Sequence, residues 1–339
     1  MASVLDLFPQ REVLNYLESR QYPALLGELF FPEVKTQSLE FNMIKGARRI
    51  PVIASVHAFN TESEIGSREA AKQALELALI KRKLELDERD IIALENPRTP
   101  AEQQYLVQEV YNDIDVLVAG VRARVEVMRM EALASGTVTL AENNLSATIS
   151  YGVPSDHKEV LAGDDLWSDP DSDPIAQIMD WVNTLGTNPT RALTSNTALA
   201  ALLKHPKVVG ALSGLGSPRL ASRASLNAYL QELGLPTIAT YDAVYRKQAA
   251  NGTYTQSRYF PANKFVLLPE GALGQTIYGP TAEEIRLARD PSIDITRVGN
   301  VLAMVYEENL DPVSTWTKAV ATALPSFPAA DEVFQATVL

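Results

Sequence analysis

The chain has 339 residues, of which 46% are hydrophobic and 21% are charged, a balance that is typical of a folded globular protein and excludes a largely disordered one. Its formal net charge is −12, and the densest basic run, Lys81 to Lys83, is followed at once by acids, which argues against direct, tight binding of nucleic acid. Cysteine is absent, and this excludes disulfides, thiolate metal sites and cysteine nucleophiles.

The N-terminus predicts no export and no membrane contact. The opening residues, MASVLDLFPQREVLNYL, lack the basic start and apolar run of a signal peptide. The longest apolar stretches are also shorter than a membrane span. We therefore expect a chain that folds in the cytoplasm without a membrane.

Residues 1–47 are interpreted as an irregular N-terminal arm. A short helix is predicted from Pro9 to Ser19, and the aromatic pair Phe30 and Phe31 follows it. The segment is too short to bury these rings itself, so they must dock on another surface. That surface belongs either to the same chain or to a neighbouring copy.

Residues 48–96 are interpreted as an extended loop. The sequence from Ile50 to Phe59 has the alternation of a strand, and a second strand is predicted through Ile80, Leu84 and Leu86. Residues 70–79 fit a helix as well as a strand. The excursion has too little apolar surface to be stable alone, so it needs a partner to lie on.

The clearest predicted element is a helix from about 99 to 135. Thr99 is a good N-cap, Pro100 suits the first helical position, Glu102 completes a capping box and Gly136 can end the helix. Its apolar stripe has spacings of three and four residues, and it contains Val107, Tyr111, Ile114, Val118, Val121, Val125, Met128 and Ala132.

Such a stripe fits either a coiled-coil dimer or a long helix that covers a sheet. The residues that follow favour the sheet, because Leu145, Ala147, Ile149 and Tyr151 alternate with polar residues after a turn at 142–144. We assign the helix and this hairpin to one domain, 97–155. Residues 156–310 carry short alternating helices and strands, and residues 311–339 are predicted to form two strands joined by a proline-rich corner.

The acidic region 156–180 suggests a calcium loop, with Asp169, Asp171 and Asp173 in alternation. A calcium loop of the EF-hand type needs glycine at its sixth position, where this chain has Pro174. The same residues fit a helix start better, with Asp173 as the N-cap and Pro174 at the first position. A catalytic pair among these acids stays open, although the sequence singles out no two of them.

Other motifs give no convincing active site. The glycine-rich stretch at 210–216 lacks the Gly-Lys-Ser/Thr of a phosphate loop and is predicted to be a flexible loop. The three histidines, His57, His157 and His205, have no metal-ligand spacing. We therefore predict no catalytic residues, no metal ligands and no cofactor.

The order of these elements resembles the major capsid proteins of tailed bacteriophages, and most closely the lambda-type major capsid protein E family. The resemblance is carried by ELFFPEV at 28–34, GVPSDHKEVLAGDDLWSDPDSDPIAQIMDWV at 152–182, KFVLLPEGALGQTIYGP at 264–280 and ALPSFPAADEVFQATVL at 323–339. It covers nearly the whole chain as a series of weak matches.

The resemblance implies an α+β protein with the fold named after phage Hong Kong 97. In that fold the long helix is the spine of a peripheral domain that also contains a β-sheet, residues 156–310 form an α/β axial domain, and the extended loop lies on a neighbouring subunit. The implied function is that of a non-enzymatic major capsid protein, which self-assembles as hexamers and pentamers into an icosahedral head.

The implied partners are other copies of the chain, a scaffold, a portal and, in some relatives, a decoration protein. The shell would enclose packaged DNA without sequence-specific binding, would assemble in the host cytoplasm and would be found in the virion. We expect inter-subunit contacts at Phe30, Phe31, Glu62, Glu64, Arg68 and Lys72. The alternatives are a carboxylate- or metal-dependent enzyme that uses residues 156–180, or another virion component of the tail or connector.

Overall fold

A computed structural model describes residues 4–45, 71–142, 145–213, 221–249, 251–291, 293, 298–308 and 313–339. The helices are α1 (Val4–Leu7), α2 (Gln10–Ser19), α3 (Leu26–Phe30), α4 (Glu88–Glu95), α5 (Pro100–Ser135), α6 (Pro174–Leu185), α7 (Asn196–Lys204), α8 (Pro206–Ser213), α9 (Arg223–Glu232) and α10 (Ala282–Leu287). Single 3₁₀ turns span Ser155–His157, Gly163–Asp165 and Ala330–Glu332.

The strands fall along the whole chain. They are β1 (Glu33–Lys35), β2 (Glu40–Lys45), β3 (Ala71–Glu76), β4 (Ala78–Leu86), β5 (Thr137–Glu142), β6 (Leu145–Ser150), β7 (Lys158–Val160), β8 (Arg191–Thr194), β9 (Thr237–Thr240), β10 (Val244–Gln248), β11 (Tyr254–Arg258), β12 (Lys264–Leu268), β13 (Gln275–Gly279), β14 (Leu302–Glu308), β15 (Ser314–Ser326) and β16 (Phe334–Thr337).

The first of two larger sheets is organised around β15, a strand of 13 residues. One edge of β15 pairs with β14 and then with β13, and its other edge pairs with β4 over residues 78–86. All three pairings are antiparallel, and β1 adds to the outer side of β13 in parallel. The predicted strand through residues 80–86 is thereby confirmed, and its partner lies in the same chain.

The second sheet has the strand order β7-β16-β12-β8-β9 and mixes parallel and antiparallel pairs. Helices α6, α7 and α9 supply apolar side chains to the core of this sheet, which centres on Trp167, Trp181 and Phe265. The rings of Trp167 and Phe265 meet edge to face, with centroids 5.1 Å apart. This part of the chain therefore has an α/β core of its own.

Helix α5 is 36 residues long, about 54 Å at the usual rise per residue. The Thr99 side chain accepts a hydrogen bond from the Glu102 N–H at 3.1 Å, and Gly136 ends the helix at φ 70°. The expected capping box is only half right, because the Glu102 carboxylate accepts from the N–H of Arg98 and not from that of Thr99. The local signals nevertheless define both ends of the helix.

The predicted stripe of α5 is its buried face, and the helix-on-sheet interpretation is confirmed. Ile114, Val125 and Met128 are completely buried in the main core, which the helix shares with β4, β5, β14 and β15. The sequence predicts that the helix covers the neighbouring hairpin β5–β6, but most of the strand contact of α5 is with the first sheet. Those strands come from distant parts of the chain, which local periodicity cannot identify.

Three local predictions need correction or completion. Residues 71–79 form β3 and the start of β4, so of the two predicted alternatives the strand is right and the helix is wrong. Strand β9 joins the second sheet, and β10 and β11 form a separate two-stranded ribbon around Gly252. Residues 210–213 of the expected flexible loop form the end of α8, and residues 214–216 fall outside the described residues. The predicted strand from 50 to 59 also falls outside them.

The division of the strands between the two sheets does not coincide with the domain boundaries predicted at residues 155 and 310. Strands β13 and β14 lie between these limits but belong to the first sheet, while β16 lies beyond them and belongs to the second. The predicted corner between β15 and β16 exists, and it connects the sheets. There Phe327 packs edge to face on Phe31 and Tyr151, with ring centroids 5.4 and 5.9 Å away, and Gln335 donates to the carbonyl of Leu133 at the end of α5.

Candidate functional site

The acidic segment 156–180 uses its carboxylates to fix local backbone. The Asp173 side chain accepts from the Ala176 N–H at 3.2 Å, with Pro174 at the first helical position, which confirms the capping interpretation. Asp169 accepts from the Asp171 N–H at 2.9 Å in a turn, and Glu159 accepts from the indole N–H of Trp181. These acids therefore begin a helix and tie it to the second sheet.

The same segment provides no assembled metal site. Over the described residues, no group of three or more histidine, aspartate or glutamate side chains is placed to hold a metal ion. His205 instead lies with its Nε2 3.1 Å from the Ser172 hydroxyl and 2.9 Å from the Asp169 carbonyl oxygen. The contact joins the acidic segment to the junction between α7 and α8.

The structure describes only part of the expected inter-subunit residues. Glu62, Glu64 and Arg68 lie outside the described residues. The backbone of Lys72 belongs to β3, where it pairs with Ile44 of β2. Contacts of these four side chains with a neighbouring copy stay a prediction.

Phe30 and Phe31 are both buried inside the chain. Phe31 is 0% exposed and packs on Phe327, while Phe30 is 4% exposed and lies under the guanidinium of Arg191 at 5.3 Å. Docking on the same chain is therefore the alternative that the structure adopts. The inter-subunit contact expected of these two rings is corrected, because the main core already covers them.

A buried ion network, which we call the arm clamp, joins the N-terminal arm to α5. It consists of Glu28, Glu33, Arg122, Glu126 and Arg129. Arg129 Nη2 is 2.7 Å from Glu33 Oε1, and Arg122 Nη2 is 2.7 Å from Glu28 Oε1. Arg129 and Glu126 are 1% and 0% exposed, so the centre of the network has no contact with water.

Neutral groups complete the arm clamp. The backbone N–H of Gly27 and the hydroxyl of Tyr241 both donate to Glu126 Oε1 at 2.9 Å. Arg129 Nε donates to Thr276 Oγ1 on β13 at 2.8 Å. A buried charge is tolerated only where it is paired and hydrogen bonded, and this arrangement meets both conditions. The arm, α5 and β13 are thereby held in one register.

Glu126 and Glu33 of the arm clamp have pKa values that move in opposite directions. Burial raises the pKa of Glu126, and the hydrogen bonds from Gly27 and Tyr241 and the charge of Arg129 offset only part of this rise. Burial also acts to raise the pKa of Glu33, but hydrogen bonds from Arg129 and Asn300 outweigh it and leave this pKa lowered. Glu33 therefore keeps its charge more readily than Glu126 does.

The sequence contains a signal for this network that the spacing of the apolar residues on α5 does not reveal. Glu126 and Arg129 are three residues apart on α5 and lie between Val125, Met128 and Ala132 of the apolar stripe. A charged pair at such positions must find partners in the core. Gly27 is also required, because a Cβ there would collide with the side chains of Glu126 and Arg129.

A second carboxylate anchors the arm nearer to the surface. Asp115 of α5 accepts hydrogen bonds from the hydroxyls of Tyr16 and Tyr22 at 2.7 and 2.9 Å, and it pairs with Arg20. Burial and the Asp115 contact raise the pKa of Tyr16 to about 12. The arm is thus fastened to α5 at two places, by Asp115 and by the arm clamp.

The exposed parts of the structure are edges and ribbons. Val160 on the edge strand β7 is 74% exposed, and Tyr254 on the ribbon β10–β11 is 56% exposed. Among the described residues, no helix is both long enough and apolar enough to cross a membrane. Among the described residues, strand edges, the ribbon and the outer face of α5 therefore offer exposed apolar side chains to other molecules.

Comparison with known proteins gives one family match over almost the whole chain. The family model described as phage major capsid protein E matches residues 10–338. A major capsid protein of Pseudomonas phage JBD67 is 35% identical over 78 residues, which are 23% of this chain and 24% of that protein. The match thus spans about a quarter of the length of this curated relative.

Two solved structures have a similar fold. The crystal structure of the putative capsid protein of a prophage from E. coli CFT073 superposes with a TM-score of 0.64 at 15% identity, covering 97% of this chain and 99% of that one. A phage-related protein from Bordetella bronchiseptica RB50 gives a TM-score of 0.52 at 14% identity, covering 96% and 95%. At these identities the likeness concerns the fold alone.

Proposed function

Because this chain belongs to the phage major capsid protein E family, we propose that its copies assemble into the icosahedral head that encloses a phage genome. The observation that carries the proposal is the family match over residues 10–338. The fold agrees with it, since a prophage capsid protein covers nearly the whole chain in superposition. The shell would contain hexamers and pentamers of this chain.

The proposed role is structural and not enzymatic. The acidic segment, which is the strongest candidate for catalysis in the sequence, supports this role because Asp169 and Asp173 serve a turn and a helix cap. The arm clamp likewise fastens the arm to α5. These polar groups stabilise the fold of a building block.

The charge of the chain suits a container for DNA. A net charge of −12 gives a wall that repels the phosphate backbone on average, so packaged DNA would not adhere to it. We propose that DNA is enclosed without sequence-specific contacts. A scaffold, a portal and a decoration protein are proposed partners, and the host cytoplasm is the proposed place of assembly.

The parts of the chain have distinct proposed roles in the shell. We assign α5 and the first sheet to the peripheral domain, and the second sheet with α6, α7 and α9 to the axial domain. The N-terminal arm (1–47) and the extended loop (48–96) would contact neighbouring copies, with Glu62, Glu64, Arg68 and Lys72 near the loop tip. The β4–β15 ladder supports this assignment, since it fixes one root of the loop to the peripheral sheet.

Purification of the full chain tests the proposal. We expect rings, shells or tubes in negative-stain electron microscopy and fast-sedimenting species in ultracentrifugation. Particle symmetry in the images separates a head protein from a tail or connector component. A chain that stays compact and monomeric over a range of concentration and salt would contradict the proposed function.

A further inference from the structure

A basic groove lies between β4, the middle of α5 and the ribbon β10–β11. Two adjoining cavities of about 360 and 270 Å³ form it, and they share Ile80, Lys81, Arg124 and Glu142. Its described charged lining residues are five cations and one anion, namely Lys81, Arg82, Arg124, Arg246, Lys247 and Glu142. Such a concentration of positive charge is unusual in a chain of net charge −12.

Ion pairs among the described residues do not balance the charges of the groove. Glu142 forms ion pairs with two cations, because its Oε1 lies 2.5 Å from Lys247 Nζ and 3.7 Å from Arg124 Nη1. Arg82 donates to the amide oxygen of Gln248 at 3.2 Å, which is a neutral partner. Lys81, Arg82 and Arg246 make no ion pair with a carboxylate of the described residues. The surplus positive charge is available to an acidic partner.

The floor of the groove also leaves room for a partner. Gly120 of α5 lies there, and a Cβ at this position would have Arg82 Cδ, 3.9 Å away, as its nearest neighbour. The packing of the chain itself therefore does not require glycine at 120, although glycine is unfavourable inside a helix. Leu79, which is 56% exposed, adds apolar surface at the edge of the groove.

An acidic face with matching properties lies on the first half of α5. Tyr105 and Val116 are 65% and 56% exposed and lie three turns apart, a separation of about 16 Å. Between them Glu109 and Asp113 are four residues apart, where like charges repel each other. Neither carboxylate pairs with a cation of the described residues, and burial together with the charge of Glu109 raises the pKa of Asp113. Within the part of the chain that the structure describes, this face therefore lacks a cationic partner.

We propose that the acidic face of α5 in one copy docks in the basic groove of a second copy. Glu109 and Asp113 would pair with the cations of the rim, and the ring of Tyr105 would lie on the apolar floor beside Gly120. The inference rests on the proposed self-assembly and names one of its surfaces. The contact joins two different patches, so it is heterologous, and it would form a ring of copies where its rotation closes.

Charge reversal in the full chain tests this contact. Variant one carries Lys81→Glu and Arg82→Glu in the groove, and variant two carries Glu109→Lys and Asp113→Lys on the face. We expect each to reduce the assembled fraction about tenfold at low ionic strength, because like charges now meet across the contact. A chain with all four reversals should assemble again, since the charges are exchanged and remain complementary.

Controls separate this contact from net charge and from folding. A matched variant with Arg11→Glu and Arg223→Glu changes net charge as variant one does, but at exposed sites outside both surfaces. It should assemble as the wild type does, and combining it with variant two should not restore assembly. Circular dichroism checks that every variant is folded. Assembly of variants one and two at the level of the wild type, or failure of the four-reversal chain to assemble, would overturn the inference.

A photo-crosslinking residue at position 105 detects the contact directly, even in small oligomers. We expect crosslinked dimers whose second peptide contains residues 78–82 or 244–248, and we expect no such peptide when the crosslinker replaces Val160. Crosslinks to any other region would overturn the inference. Binding of a short DNA duplex by the wild type would also overturn the inference if variant one abolished this binding but assembled normally. The groove would then be a binding site for nucleic acid.

Failure of the inference can be distinguished from failure of the proposed function. If the wild-type chain forms shells and crosslinks from position 105 fall elsewhere, the proposed function stands and this contact is wrong. If the wild-type chain forms no shells, rings or tubes, the proposed function fails. Crosslinks between position 105 and the groove would still establish the pairwise contact in that case.

Discussion

At the scale of single residues, the arm clamp shows how buried charge specifies the position of the N-terminal arm. An apolar contact would tolerate small shifts of the arm along α5, whereas Glu126 must meet both the Gly27 N–H and the Tyr241 hydroxyl. Arg129 similarly reaches Glu33 of the arm and Thr276 of β13. Such a network contributes more to register than to net stability, because desolvation offsets much of the attraction between its charges.

Removal of the central cation should be costly. The substitution Arg129→Met leaves Glu126 and Glu33 buried without it, and we expect the free energy of unfolding to fall by about 3–5 kcal/mol. The same substitution at Arg124, whose pair with Glu142 is partly exposed, should cost less than about 1 kcal/mol. Urea denaturation of both variants measures the difference, and equal losses would contradict a special role for Arg129.

The raised pKa of Glu126 predicts a pH dependence of defined sign. The folded protein binds this proton more readily than the unfolded chain, so Glu126 contributes stability that is present below its unfolded pKa of 4.5 and is lost as pH rises through its folded pKa. Glutamine at 126 keeps the acceptor but removes this titration. We therefore expect the stability of Glu126→Gln, relative to the wild type, to be highest near pH 7 and to decrease toward about pH 5.

Urea unfolding of the wild type and of Glu126→Gln across that range provides the measurement. Glu33 has a lowered pKa, so its contribution has the opposite sign and is lost only below 4.5, outside this window. A constant difference between the two proteins would show that Glu126 keeps its ordinary pKa in the folded state.

At the scale of elements, local sequence signals predict where a helix begins and ends and which of its faces is buried, but they do not predict which strands pair with each other. Thr99, Gly136 and the apolar stripe predict α5 almost completely, and Asp173 with Pro174 predicts the start of α6. The pairing of β15 with β4, over 200 residues earlier in the chain, leaves no local pattern. The arm clamp has a partial signal only, because the charged pair on α5 indicates a buried network without naming Glu33 or Gly27 as its partners.

Two glycine substitutions should have opposite effects on the elements that contain them. Gly120→Ala fills open space in the middle of α5, and we expect it to raise the free energy of unfolding by up to about 1 kcal/mol. Gly27→Ala should lower it, because the new methyl group collides with Glu126 and Arg129. Thermal and urea unfolding measure both, and destabilisation by Gly120→Ala would mean that the site is more crowded than the structure indicates.

At the scale of the whole molecule, the family match and the fold agree, while the loop contacts stay predictions. Replacing residues 60–70 by glycine and serine at equal length leaves β3 intact. We expect an unchanged melting temperature but no shells, because three of the four proposed contact residues of the loop tip, Glu62, Glu64 and Arg68, are gone. Electron microscopy and sedimentation provide the readout, and normal shells would remove the assignment of the tip to an interface.

A matched variant tests the charged residues of the tip themselves. It carries the same glycine and serine replacement but keeps Glu62, Glu64 and Arg68. If these side chains make the contact, this variant should regain at least part of the assembly that the full replacement loses. Equal assembly of the two replacement variants would instead assign the effect to the loop backbone or to its other side chains.

The corner between β15 and β16 has a mechanical consequence. Phe327 is completely buried against Phe31 and Tyr151, and the next strand is bonded to the end of α5 through Gln335. A joint so tightly packed lets the two sheets behave as one stiff plate. In a closed shell, the change of slope between a flat facet and a five-fold vertex would then be taken up at the seams between plates, where arms, loops and ribbons meet.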